Sequence, residues 1–237
     1  MWGLIVLLSV GLFNLFQDPN KVDTQANQIA FSKFLKANSA ASGIETSPST
    51  GYGTHVRRSL DRFGAKGQGK LPVGGLVRIR LDSGEPGPTV MVVSGVHGDE
   101  LIGMAAIHRL DPWLAEHLSI GQVVFVPCAN PDGTVRLVRH VPTDQRDLNR
   151  CFPGDPRGTA GQQLAHAIFQ VIESEKPALV LDLHSDSGFA IPYAILDRPV
   201  ALKGRKRRET EDQLSALVEA SGLPWFWEYQ DLLYKKS

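Results

Sequence analysis

The sequence predicts a three-layer α/β/α fold with a mixed, largely parallel central sheet. Three observations carry that reading. Strand-like and amphipathic helical stretches alternate from residue 76 onward; the inner strands are continuous apolar runs, as expected of a sheet covered on both faces; and polar clusters follow directly on strand ends. In such folds ligands bind at the carboxyl ends of the strands.

Each element has its own signal. Residues 76–81, Leu-Val-Arg-Ile-Arg-Leu, alternate as a half-buried strand, and 84–87, Gly-Glu-Pro-Gly, form a turn. The run 89–93 is apolar and β-branched, a buried strand. Over 101–117, Ile102, Ala105, Ala106 and Leu110 recur at helical spacing, and Asp111-Pro112 predicts a break or kink inside that helix. Residues 122–127 are the next strand, 161–173 a second amphipathic helix and 178–183 another buried strand. The basic run 203–208 reads as a solvated loop ahead of a helix over 209–220, whose acidic residues follow directly.

Composition bounds the function. The 237 residues carry 25 Lys and Arg against 25 Asp and Glu, and 42% are hydrophobic, enough for a sizeable core. Zero net charge removes the excess of cations that a general nucleic-acid binder needs, so no nucleic-acid partner is expected. Cys128 and Cys151 cannot form a disulfide framework and read as reduced, buried thiols.

Residues 1–17 contain no charged side chain, and 2–16 are nearly all apolar, yet the run is short for a membrane span and has no basic n-region. It suits a signal or anchor, a helix packed on the domain, or an extension with no folded role. A cytoplasmic location is expected, with membrane anchoring or export through this segment as the alternative; membrane contact is possible only through 2–16. Residues 18–70 read as a polar, poorly ordered lead-in with one amphipathic piece at 26–37, and 71–237 as the folded domain.

The chemistry sits in three clusters past strand ends: Gly95-Val96-His97-Gly98-Asp99-Glu100, Asp147-Leu148-Asn149-Arg150 and Asp182-Leu183-His184-Ser185. His97 and Glu100 can aim an imidazole and a carboxylate at one cation, with His184 as a third ligand from a neighbouring strand. Two His and one Glu with a fourth position open is a catalytic zinc set, whereas structural zinc is usually closed by four ligands. Zinc brings the pKa of bound water toward about 7 and polarises carbonyls. Asp182 shares a strand face with His184, so it can hold the imidazole or bond nearby backbone. Asp99 is a solvated or helix-N-terminal carboxylate.

These motifs, with Asn130-Pro131-Asp132-Gly133 and Arg146-Asp147-Leu148-Asn149-Arg150-Cys151-Phe152-Pro153-Gly154 in order between them, resemble the succinylglutamate desuccinylase/aspartoacylase family of the zinc carboxypeptidase-like superfamily. The resemblance covers roughly 71–196. It implies a carboxypeptidase-like fold, one Zn2+ per chain held by His97, Glu100 and His184, and hydrolysis of a small N-acylated amino acid or a related amide or ester. Asn149 and Arg150 match the pair that grips a substrate carboxylate, a task for which a guanidinium fork is suited. Arg139 matches the arginine that polarises the scissile carbonyl, with Arg136 and Arg146 as competitors.

The resemblance also implies a general-base glutamate well beyond His184, and the 53 residues after it offer no clear match. Glu228, in an aromatic setting, is the candidate. With an apolar tail at 225–234, the domain is expected to be incomplete at its C-terminus. Two alternatives follow: a zinc carboxypeptidase acting on peptides, or a zinc-binding fragment lacking its base, which would forgo roughly 10²–10⁴-fold in rate. The acyl group, the amine part and the oligomeric state are not encoded in these motifs.

Overall fold

In the computed structural model, which describes residues 2–8, 56–63, 75–189, 191–199 and 202–228, the strands are β1 (Trp2–Leu8), β2 (Arg57–Phe63), β3 (Leu76–Asp82), β4 (Thr89–Ser94), β5 (Gln122–Val126), β6 (Leu179–Phe189), β7 (Tyr193–Leu196) and β8 (Trp225–Trp227). The helices are α1 (Ile102–His117), α2 (Pro131–Arg136), α3 (Ala160–Glu175) and α4 (Gly204–Ser221), with a 3₁₀ turn at Leu148–Arg150. All eight strands join one sheet in the order β2-β3-β5-β4-β6-β1-β7-β8. The centre is parallel, β4 pairing with β5 on one side and β6 on the other, while β3 and β1 flank it antiparallel. The expected mixed sheet is thus present.

Register explains the three layers. Met91 lies beside Val124 and Val180, and these share a core with Leu164, Ala165, Ile168 and Phe169 of α3. Val92 lies beside Phe125 and Leu181, on the opposite face, which packs on Ile107 of α1 and on Leu214 and Val218 of α4. Alternate residues of one strand thereby enter different cores, and for this reason the sequence runs are continuously apolar. The chain leaving β4 goes to one face through α1, and that leaving β5 goes to the other through α3. In such sheets ligands bind at the carboxyl ends of strands whose connections part to opposite faces.

Several elements differ from expectation. The N-terminal stretch forms a strand over residues 2–8, inserted between β6 and β7, rather than a packed helix; an all-apolar run also suits an interior strand. Within the expected lead-in, β2 is an ordered edge strand paired antiparallel with β3. Its residues are mostly charged, so it has no apolar alternation to betray it, and it is held by Arg78–Asp61 and Arg57–Asp82 ion pairs. The piece at 26–37 lies outside the described residues.

Helix α1 continues through Pro112 without a break, and Arg58 of β2 clasps Asp111 just before it through two nitrogens, at 3.0 and 2.7 Å. The basic run is not a loop: α4 begins at Gly204, and Arg205–Glu209 and Arg207–Glu211 pair one turn apart along it. Among the described residues, no helix is long and apolar enough to cross a membrane.

Candidate metal centre

His97 follows β4, Glu100 closes the same turn ahead of α1, and His184 lies within β6, the neighbour of β4. The turn carrying the first two is tightly seated. A Cβ on Gly98 would come within 2.1 Å of the Gly133 carbonyl carbon, so only glycine lets this turn rest on the start of α2. All three side chains are buried.

Their donor atoms converge. Glu100 Oε1 lies 2.7 Å from His97 Nδ1, Glu100 Oε2 lies 2.9 Å from His184 Nδ1, and the two Nδ1 atoms are 3.1 Å apart. Each imidazole is held from its other side: Asp147 Oδ1 is 3.1 Å from His97 Nε2, and Asp182 Oδ2 is 2.9 Å from His184 Nε2. Of the two roles open to Asp182, the geometry selects the imidazole. The Ser185 amide donates to Glu100 Oε2 at 2.9 Å, and Arg139 Nη1 donates to Oε1 at 3.2 Å.

This donor set fits a metal ion. With each Nε2–H given to a carboxylate, both Nδ1 atoms present lone pairs toward each other and toward an anion, an arrangement that is repulsive unless a cation sits between them. Ligands at 2.0–2.1 Å from a tetrahedral zinc stand about 3.3 Å apart, a few tenths of an ångström wider than the separations here. His97, Glu100 and His184 can therefore hold a metal ion.

The electrostatics carry the same signature. Burial raises the Glu100 pKa, but hydrogen bonds from His184 and His97, the charge of His184 and the Ser185 N–H outweigh it and hold the carboxyl far below the usual range. Burial lowers the His184 pKa, but the charge and hydrogen bond of Asp182, then Glu100, push it up to about 10. Asp147 is depressed against its burial by His97, by Arg139 and by the Asn149 N–H.

Other residues singled out in the sequence fall into two groups. Arg139 reaches the cluster, spanning Glu100 and Asp147 Oδ2, the latter at 3.5 Å, whereas Arg136 ends α2 and Arg146 is bridged through its backbone to Val141. Asn149 and Arg150 lie on the 3₁₀ turn just after Asp147. The Asn149 amide donates to Asp147 Oδ1 at 2.9 Å, while the Arg150 side chain is exposed and donates to the Asn149 carbonyl at 3.4 Å. Asp99 is exposed.

Glu228 is not brought to the cluster. β7 and β8 run opposite to β6, and register places Trp227 level with Leu196, Leu8 and Leu181. The residue after it therefore lies at the opposite sheet edge, roughly 20 Å from His184 by strand spacings. Sequence reasoning gave Asp147 no role, although its place two residues before Asn149 in a site cluster was the available signal.

Residues 86–219 match the succinylglutamate desuccinylase/aspartoacylase catalytic domain, 134 of 237 residues. The chain belongs to this family. The matched span contains His97, Glu100, Arg139, Asn149, Arg150 and His184, and ends before Glu228. Among curated proteins the chain is 37% identical over 99 residues to the N-alpha-acetyl-L-2,4-diaminobutyric acid deacetylase of Halomonas elongata, a stretch covering 42% of this chain and 29% of that protein. The crystal structure of an aspartoacylase family protein from Mesorhizobium loti shares the fold at 20% identity with a TM-score of 0.56, over 74% of this chain and 54% of that one. The chain thus spans about half, or less, of the length of these two proteins.

Proposed function

We propose that this chain is a zinc-dependent hydrolase that removes the acyl group from a small N-acylated amino acid or a related amide. The observation that carries the reading is the convergence of two Nδ1 atoms and a carboxylate, each imidazole backed by its own carboxylate. The likeness to a deacetylase of an N-acetylated diamino acid supports the class of substrate.

In this reading His97, Glu100 and His184 would hold one zinc ion. When bound, zinc supplies Lewis acidity toward a carbonyl and acidifies water to near neutrality. The chain's own residues do the rest. Asp147 and Asp182 fix the tautomers and planes of the ligand rings. Arg139, its side chain 47% exposed, donates toward the acyl oxygen as negative charge develops on it. Asn149 and Arg150, on the turn anchored by Asp147, receive the substrate carboxylate.

The test is hydrolysis of a panel of N-acyl amino acids by the metal-loaded protein, with and without chelator, alongside metal analysis of the wild type and His97→Ala. We expect about one zinc per chain, lost in the variant, and turnover that the chelator abolishes. Stoichiometric metal with no turnover on any N-acyl substrate would overturn the enzyme reading; equal metal content in both proteins would overturn the ligand assignment.

A further inference from the structure

Asn130, fully buried between β5 and α2, makes more bonds than a helix cap requires. Its Oδ1 accepts the Gly133 N–H at 3.0 Å, the ordinary cap of α2 with Pro131 in the first turn. That bond fixes the side-chain amide, so Nδ2 faces the other way, where it donates to the Arg139 carbonyl at 3.5 Å. The same carbonyl accepts the N–H of Gly98, at 3.4 Å, from within the His97–Glu100 turn.

The main chain of Asn130 extends the connection. Its N–H donates to the Gly95 carbonyl at 2.9 Å, and its own carbonyl accepts from the Thr134 N–H at 2.9 Å and the Thr134 hydroxyl at 3.0 Å. Two glycines clear the space: a Cβ at Gly133 would sit 2.4 Å from Asn130 Nδ2, and one at Gly98 would strike Gly133. The Arg139 backbone is thereby clamped to the ligand turn.

We infer that Asn130 is a positioning residue for Arg139, acting through the Arg139 carbonyl to set the reach of its guanidinium to Glu100 and Asp147; the inference deepens the hydrolase reading and rests on it for the guanidinium's role. Capping needs only Oδ1, and Asp or Ser caps about as well as Asn. The amide donor is what the cap leaves over, and it is given to Arg139.

Asn130→Ser and Asn130→Asp retain the cap acceptor and lose the donor. In the metal-free protein, phenylglyoxal modification of Arg139, followed by peptide mass mapping, reads the guanidinium's pairing without any catalysis. We expect the Arg139 rate to rise by about fivefold in both variants, with the melting temperature lowered more in Asn130→Asp, which buries a carboxylate, than in Asn130→Ser. In the zinc-loaded protein kcat should fall about 10- to 100-fold with KM nearly constant, and no further loss should occur in an Arg139→Ala background.

Wild-type modification rates in both folded variants would overturn the inference whatever the hydrolysis assays give. So would loss of fold in both, since both keep the cap and the amide donor would then be a requirement of the fold rather than of Arg139's position, or an additional kcat loss in the Arg139→Ala background. A raised modification rate in a protein that hydrolyses no N-acyl substrate would uphold the clamp while sinking the proposed function, so the two failures are distinguishable.

Discussion

The Nδ1 atoms of His97 and His184 face each other at 3.1 Å across the two oxygens of Glu100. Neither ring is free to turn away, because Asp147 and Asp182 hold the opposite nitrogens. The arrangement suits a cation at the centre, and the raised pKa of His184 lets a proton serve there without metal.

That proton gives the metal-free protein a defined pH response. The folded-state pKa of His184 is raised to about 10, against about 6.5 for an unperturbed histidine. Below about 6.5 folded and unfolded chains both carry the proton, and the stabilisation is complete. Between about 6.5 and 10 the folded state binds more protons than the unfolded, so stability falls as pH rises, and the contribution is gone above that window. Glu100 acts from the acid side: its depressed pKa contributes above about 4.5 and is lost as pH falls below. Urea unfolding of the chelator-treated protein should therefore show greatest stability near pH 5–6.5 and a decline toward pH 9, flattened in His184→Asn. A wild-type stability that rises from pH 7 to 9 would contradict this.

Metal loading must displace the same proton. Affinity for zinc should rise by about tenfold per pH unit in this range, with about one proton released per ion by calorimetry in buffers of different ionisation enthalpy. Asp147→Asn and Asp182→Asn should each weaken zinc binding by about 10- to 100-fold without removing a ligand. An asparagine at 147 still accepts the Asn149 amide, so its effect reports the loss of the carboxylate's charge toward His97 together with its long pair to Arg139. Unchanged affinity in both variants would mean that the imidazoles are oriented by packing alone.

What the sequence made legible follows from range. The grouping of His97, Glu100 and His184 was readable because each follows an apolar run and those runs are neighbouring strands, although β6 continues through His184 to Phe189 instead of ending there. β2 was not, since its charged residues acquire meaning only through pairing with β3 and through the Arg78–Asp61 and Arg58–Asp111 contacts. The start of α2 carries a local signal for a capped helix, Asn followed by Pro. Glu228 looked suitable because its neighbours are aromatic, but strand direction, a property of the whole sheet, places it at the far edge.

Gly103 offers a test in which two ordinary effects oppose each other. In an exposed helix interior, Gly→Ala stabilises by about 1 kcal/mol. Here a Cβ would lie 2.8 Å from Leu183 Cβ and 2.9 Å from both the Leu183 carbonyl oxygen and Ser94 Cβ, where α1 presses on β4 and β6. Overpacking against backbone typically costs about 1–3 kcal/mol, so steric cost should win. We expect Gly103→Ala to lower the melting temperature and to weaken zinc binding, because Glu100 enters the site just before this contact. A stabilised variant with wild-type affinity would show that α1 can shift without disturbing the ligand turn.

Substitution of Arg139 should separate turnover from metal binding. Its side chain is 47% exposed and its pairs with Glu100 and Asp147 are long, so Arg139→Ala should change stability by less than about 1 kcal/mol. Its effect on the metal has the opposite sign from that of removing a ligand. A cation 3.2 Å from Glu100 Oε1 opposes a dication there, so zinc affinity in Arg139→Ala should be equal to or a few times tighter than wild type. Turnover should fall by about 10²–10³-fold, the usual cost of one donor to a developing oxyanion. Arg139→Lys should recover little of it, because an ammonium cannot keep the carboxylates and the acyl oxygen in reach of one planar fork. Steady-state kinetics with zinc titrations on the same preparations would decide the matter: a variant that loses metal along with turnover would make Arg139 a support for the ligands rather than a donor to substrate.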